Sequence, residues 1–565
     1  MPNKLLARTI AQWNGQDALS KCLIAACMLL VFFAYLPTLQ STYVTQDQWR
    51  VFRYSTSERT PLYRAEACAK MIPGFYALTG RPLVWPTECI EDAVVGKMSE
   101  FVYLRPLVLF IVLLSTLYLG AVIAPIVGGW AAGVIAASIA VMAPGYSFMY
   151  LQGMTAAMVL LSIVLAAASF STLARLFDQK IKWRAPCKKH GYGKAFLFFF
   201  LGCLIYPAWS FLVVTLSLVE FGLRYETRFT ARLKRLVSHL LFYLISAFIY
   251  YCFIRLIWDV VVYFNGPPQL PPGYEVAIRL NPHVILERCV EAAKYFYRMA
   301  PSDFDVPTGA CLAILVMFSA NIGLQYYLHE RRGIRWLISI SALAFIISLI
   351  VLLGAVSPWL FSAYQGITSY FLIPWYLFFS VAVVGIMLPL MSALSKGKRA
   401  IPYVAVMAAL VIPATATQNK VSFLQVAVSD YEIWEMGHRL DKWLVEERHG
   451  GTRYLLVVLP RRQRPEFVDA WLKGNVDLGQ NAVLASSQNP VSIPWMINAL
   501  LREHPSAGKT IKIIDCGFDQ RCVNKNLAKR GAVVLQTTYG STPVRATEKP
   551  FVINLSAITS RAVHP

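Results

Sequence analysis

AFLFFFLGCLIYPAWSFLVVTLSLVEFG, residues 195–222, is the stretch on which the fold turns. It is apolar almost throughout. A basic stretch flanks it at each end, DQKIKWRAPCKKHGYGK at 178–194 and RYETRFTARLKR at 224–235. Loops rich in Lys and Arg stay on the cytoplasmic side of a membrane. With both flanks held on one side, the run has to enter and return. Tyr206-Pro207-Ala208-Trp209 is the expected break, because Pro lacks the backbone donor a helix needs. Each limb is short, which predicts a re-entrant or tilted hairpin. A single tilted span would put 178–194 or 224–235 outside, against the charge rule.

The rest of the chain fits that frame. Of 565 residues, 57% are hydrophobic and 15% charged, against about 25% charged in soluble proteins. Mean hydropathy is +0.51. Further apolar segments lie at 22–38, 106–124, 127–143, 149–171, 236–264, 306–328, 336–354, 370–391 and 400–417. HERRGIR (329–335) and KGKR (396–399) are two more basic connections. The first segment follows Lys4, Arg8 and Lys21 and has no A-x-A cleavage site, so it reads as an uncleaved span with a cytoplasmic N-terminus. This predicts a polytopic α-helical membrane protein with about eleven crossings. Loops 39–105, 265–305 and 355–369 and the tail 418–565 then share the outer side. Two units follow: a transmembrane module over 1–417 and an outer domain over 418–565. The net charge of +22 is concentrated between apolar segments. That pattern argues against nucleic acid and for anionic lipid or phosphate-bearing substrates.

The outer segments carry the polar chemistry. Loop 39–105 is long for a connector, with helical patterns at about 46–54 and 63–79. Loop 265–305 contains NPHVILERCVEAAKYFYRMA (281–300), in which Val284, Leu286, Cys289, Val290, Ala293, Phe296 and Tyr297 can share one face of an interfacial helix. The tail begins with a charged amphipathic helix pattern at 422–449. Four strand-like pieces follow, RYLLVVLP, KTIKIIDCG, GAVVLQTTYG and PFVINLS, with helical pieces between them. This alternation predicts a small α/β domain, suited to capping or acceptor recognition. Cys68 and Cys89 fall in the first outer loop, Cys516 and Cys522 in the tail. Two pairs on the oxidising side fit either two disulfides or four buried thiols.

Metal and serine hydrolase chemistry have no support. The eight His show no ligand spacing, and neither H-E-x-x-H nor G-x-S-x-G occurs. No cofactor is predicted, and a divalent metal has no basis in the sequence. What remains are ionisable groups near the outer boundary. Asp47, in YVTQDQWRVFR (43–53), stands at the junction of the first span and its loop, followed by Arg50 and Arg53. On a helix these three share a face. A carboxylate to activate a hydroxyl and guanidiniums to hold a phosphate suit group transfer. The alternative is that Asp47 only caps a helix. Arg255 and Asp259 stand four apart within a span, spaced to pair with each other.

The order of these pieces is a first span, then QDQWR (46–50), then TGRPLVW (79–85), then many spans and an outer tail. It resembles the GT-C class of polyprenyl-phosphate-sugar-dependent glycosyltransferases, above all those that modify O-antigen in lipopolysaccharide and convert serotype. Gly80 to Leu83 after an Asp-Trp-Arg junction is the most specific match. A single Asp47 flanked by Gln46 and Gln48 departs from the paired acids of many relatives, and 357–375 lacks the basic residue that some place near the lipid phosphate.

The resemblance implies an undecaprenyl-phosphate-linked sugar, glucose by the look of the relatives, as donor. A lipid-linked glycan would be the acceptor, at the periplasmic face of a bacterial inner membrane, with inversion. Asp47 would be the base and Glu66 the second candidate. Arg50, Arg53, Arg81 and Arg255 would contact phosphate or sugar, with Trp49 and Trp85 against sugar rings. An aminoarabinose-type lipid A transferase and a lipid-linked-sugar flippase or transporter are the alternatives.

Overall fold

The computed structural model describes residues 15–40, 60–71, 81–143, 154–178, 186–224, 228–265, 281–304, 309–330, 333–360, 373–395, 400–446, 455–458, 496, 499–500, 512–514, 532–536 and 551–554. In chain order the principal helices are α1 Ala18–Tyr35, α2 Pro61–Met71, α3 Trp85–Val94, α4 Phe101–Val127, α5 Trp130–Val141, α6 Met154–Asp178 and α7 Pro186–Ile205. They continue as α8 Leu212–Leu223, α9 Phe229–Asn265, α10 Pro282–Phe304, α11 Ala310–Glu330, α12 Ile334–Ala355, α13 Ile373–Leu394 and α14 Ile412–Glu446.

Eight helical stretches among the described residues are long and apolar enough to cross a membrane, and the chain is a multi-pass membrane protein. Three shorter apolar helices, Trp130–Val141, His190–Ile205 and Pro207–Leu223, lie in the remaining apolar segments. Local signals set the ends. Asp17 starts α1 by accepting from the Ser20 amide at 2.8 Å. Gly128 ends α4 at a φ of +89°, a left-handed cap that suits glycine.

The run 195–222 breaks where Pro207 demands it. Tyr206 is extended, at φ −152° and ψ 97°, and Pro207 opens a short helical turn to Ser210 before α8 returns. The return is shown by the partners at its end. Arg224, just past α8, reaches Asp178 at the end of α6 at 2.7 Å. Gly191, in the second turn of α7, lies against Leu176 of α6, so the two limbs start and finish near the same end of α6. At 1.5 Å per residue, the twelve residues of α8 cover only ~18 Å of a roughly 30 Å hydrocarbon core. Every residue of α8 is buried, so protein rather than lipid surrounds the short limb. A broken helix is tolerated at membrane depth on that condition.

The basic connections meet at one end of the bundle. Asp178 Oδ1 accepts from Arg224 and Arg235, and Glu220 Oε1 accepts from the same two guanidiniums. Arg232 donates to Gln325 Oε1 and to the carbonyls of Phe221 and Arg224. Asn321 and Gln325 donate to the carbonyl of Gly222. The ends of α6 and α8, the start of α9 and the latter part of α11 therefore meet at one end of the bundle.

At the opposite end Tyr35 Oη donates to the Val141 carbonyl at 2.6 Å. There too Trp375 Nε1 donates to the Leu352 carbonyl at 2.8 Å, and Arg288 Nη1 to the Leu360 carbonyl at 3.0 Å.

α4 and α5 approach at glycines. A Cβ built on Gly133 would collide with the Gly120 carbonyl oxygen and with the backbone of Ala124. Backbone cannot swing aside as a side chain can, so Gly133→Ala should cost about 1–3 kcal/mol by overpacking. A thermal midpoint equal to that of the wild type would contradict this.

Ala400–Val406, a π-helical turn over Met407–Val411 and α14 run on without a break. Pro413 has no N–H to give and crowds the preceding turn; the wider π turn absorbs this. The helix passes straight through the 417/418 boundary and includes most of the amphipathic pattern at 422–449. From Ala400 to Glu446 it measures ~70 Å at 1.5 Å per residue, so its last turns project well beyond any bilayer. Beyond it, β1 Leu455–Val458, β2 Lys512–Ile514, β3 Ala532–Gln536 and β4 Phe551–Asn554 form a parallel sheet of order β2-β3-β1-β4. Leu456 pairs with Val534 on one side and Val552 on the other.

Candidate functional site

α2 and α3 are the two principal helices described within 39–105. Thr60 caps α2 by accepting from the Tyr63 amide at 3.3 Å, and Pro61 sits at the first helical position, where its missing N–H costs nothing. The Cys68–Cys89 disulfide joins the two helices with Cα atoms 5.4 Å apart. Arg64 adds a second tie, donating to the Ala93 carbonyl at 2.7 Å. The sequence left open whether these cysteines are bridged; the packing of α2 on α3 settles it for this pair. Cross-linking across a separation of 21 residues should stabilise the pair of helices by about 3 kcal/mol through the unfolded chain. In a Cys68→Ser, Cys89→Ser protein, amides of α2 and α3 should lose most of their hydrogen-exchange protection while those of the spans keep theirs.

Just before α3, Arg81 and Leu83 dock on the hairpin. The Leu83 amide donates to the Leu204 carbonyl at 3.2 Å, and the Arg81 guanidinium lies 5.3 Å from the centroid of the Tyr206 ring. This is a cation–π geometry at the turn of the 195–222 hairpin, at the end of the bundle opposite the basic connections. The hairpin break supplies a free carbonyl at Leu204 because Pro207 cannot continue the helix that would have used it.

The other candidate residues fall as follows. Glu66 is exposed on α2, two positions before Cys68, and Trp85 is the first residue of α3. Asp47, Trp49, Arg50 and Arg53 lie outside the described residues, as do Cys516 and Cys522. Arg255 pairs with Asp259 at 3.1 Å on an exposed face of α9, at side-chain exposures of 49% and 56%, which is the i, i+4 alternative read from its spacing. Among the described residues no group of three or more His, Cys, Asp or Glu is placed to hold a metal ion.

Two buried cations near this end escaped the sequence reading. Arg105, in the first turns of α4, is 2% exposed, and Arg288, on α10, is 7% exposed. The signal for Arg105 was its place inside an apolar run, FVYLRPLVLF. For Arg288 there was none, because its helix presents two faces. Arg288, Ala292 and Phe296 are buried and Phe296 packs edge-on against Trp375, while Leu286 and Val290 are exposed. The single apolar face expected for this helix is thus divided, with Phe296 turned into the protein. Leu286 and Val290 form the outward face, as on a helix lying at a lipid interface.

No protein-family model and no curated protein matches the chain. Solved structures with a similar course include the archaeal oligosaccharyltransferase AglB from Archaeoglobus fulgidus in complex with an inhibitory peptide and a dolichol-phosphate. It has 13% identity and a TM-score of 0.36, over 83% of this chain and 64% of that one. The Archaeoglobus fulgidus oligosaccharyltransferase in its apo form matches at 12% identity and a TM-score of 0.39, over 84% of this chain and 65% of that one. The chain spans a little under two thirds of the length of each.

Proposed function

We propose that the chain is a GT-C-class glycosyltransferase of a bacterial inner membrane. It would move a sugar, glucose by resemblance, from undecaprenyl phosphate to lipid-linked O-antigen or another surface glycan on the periplasmic side. The observation that carries this reading is the junction of Arg81 and Leu83 with Tyr206 and Leu204. It ties the stretch with the most specific family resemblance to the turn of the hairpin, at the end of the bundle away from the basic connections.

The chemistry is a direct displacement. The acceptor hydroxyl oxygen attacks the anomeric carbon as its proton passes to Asp47. The anomeric carbon–oxygen bond to phosphate breaks, and the lipid phosphate departs. A phosphate is a stable leaving group, so one carboxylate suffices where glycosidases expelling an alkoxide use two. Arg81, with Arg50 and Arg53, would stabilise the charge growing on that phosphate. In this reading there are eleven crossings, and the sheet β1–β4 with its connecting segments is a periplasmic α/β domain of the tail.

The test is incubation of the purified protein with labelled polyprenyl-phosphate sugars and O-antigen lipid. Label should pass to the acceptor lipid, and no transfer from any donor would overturn the reading. Transfer to lipid A instead would favour the aminoarabinose-type alternative. A transporter would draw on buried charges along its path, and here Glu220 and Arg235 are bound to each other at the basic end.

A further inference from the structure

α14 carries a second feature that its amphipathic pattern concealed. Thr415, Gln418, Ser422 and Gln425 follow one another at helical spacing, and all four are buried. Gln418 is 0% exposed. Its Nε2 donates to Ser422 Oγ at 3.0 Å, but its carbonyl oxygen Oε1 has no hydrogen-bond partner. A fully buried amide oxygen left unpaired is costly, more so in a bundle surrounded by lipid. A hydroxyl can rotate toward a nearby carbonyl, whereas this amide is oriented by its bond to Ser422.

The place of the stripe is informative. One turn before Gln418, Thr415 Oγ1 lies 3.4 Å from Met142 Sδ, just past the end of α5. Next to Gln418, Asn419 Nδ2 donates to the Phe33 carbonyl near the end of α1 at 2.6 Å. Tyr35 and Val141 close the same joint. The unpaired oxygen therefore sits at the outer ends of α1 and α5, where the connection carrying Asp47 begins.

We propose that this face of α14 binds the hydroxyl groups of a sugar, with Gln418 Oε1 accepting from one of them. The stripe is neutral, which suits an uncharged polyol and not a phosphate. An amide also offers an acceptor and donors side by side, matching a pair of neighbouring hydroxyls. The inference rests on the glycosyl-transfer reading for the identity of the sugar carrier.

The experiment compares wild type, Gln418→Met and Ser422→Ala in lipid nanodiscs. Thermal midpoints are read with polyprenyl-phosphate sugars and with bare polyprenyl phosphate, and transfer is assayed alongside. Gln418→Met removes the unpaired oxygen at similar volume. It should raise the ligand-free midpoint by about 2–4 °C, abolish the extra stabilisation given by sugar-bearing lipid, and lower kcat/KM by about tenfold. Ser422→Ala should lose part of the sugar-dependent shift without raising the midpoint, and it decides the matter if Gln418→Met does not fold. Sugar-dependent stabilisation that persists in the variants, or is absent from the wild type, overturns the inference whatever the transfer assay shows. A sugar-dependent shift lost in Gln418→Met, with no transfer by any protein, overturns the enzymatic reading and leaves the sugar site standing.

Discussion

Asp47→Asn should lower sugar transfer by about 10²–10⁴-fold, the range that a general base contributes, with the thermal midpoint unchanged. Asparagine is the substitution that separates the two roles open to this residue. As a helix cap Asn serves about as well as Asp, so a capping role predicts an enzyme of normal activity. As a base Asn fails, because an amide cannot take the proton of the acceptor hydroxyl. Glu66→Gln provides the comparison. If the exposed Glu66 of α2 is the base instead, that variant loses activity and Asp47→Asn keeps it. Near-normal transfer by both variants at normal expression would remove the single-carboxylate mechanism altogether. Because the phosphate is already a good leaving group, the pH–rate profile should show one limb, rising with pH through the ionisation of the base.

Arg235→Leu should destabilise the folded protein by about 3–5 kcal/mol, the loss expected when one partner of a buried ion pair is removed. Arg235 bridges Glu220 at 2.6 Å and Asp178 at 2.8 Å, tying the return limb of the hairpin to the end of α6. Glu220 is 8% exposed at its side chain, so water cannot take over from the lost guanidinium. Arg224 alone would remain to neutralise two carboxylates. Hydrogen exchange in nanodiscs should show the loss first in α8, since protein contacts alone hold that short limb in the membrane. The paired variant Glu220→Met, Arg235→Leu removes both charges and should recover much of the stability, because an apolar pair carries no desolvation cost. A double variant as unstable as the sum of the two singles would show that the ion pair contributes nothing by its pairing.

Much of the architecture was legible in the amino-acid sequence because it follows from local and one-dimensional causes. Apolar length marks the spans, and Lys and Arg mark one side. That side is the end where Asp178, Arg224, Arg232 and Gln325 converge. Pro207 announced the hairpin break, since a missing donor is a property of the residue alone. The four strands lie inside the four apolar pieces bounded by turn residues. The extent of helix within the first loop was less legible. The pattern at 63–79 gives a helix over Pro61–Met71, and α3 carried too weak a periodicity to be noticed.

The sequence by itself determined a membrane protein with its basic loops on one side and a broken central segment. Only the tertiary structure decided which distant groups meet. Whether Cys68 and Cys89 are bridged depends on how α2 lies against α3. That Arg81 lies over Tyr206 depends on the Leu83–Leu204 backbone bond. Arg255 lies 3.1 Å from Asp259 on an exposed face of α9, the pairing that their spacing allows. The unpaired oxygen of Gln418 belongs to the same class. Polarity is a property of the residue, but satisfaction is a property of the surroundings, and those are assembled from helices far apart in the chain.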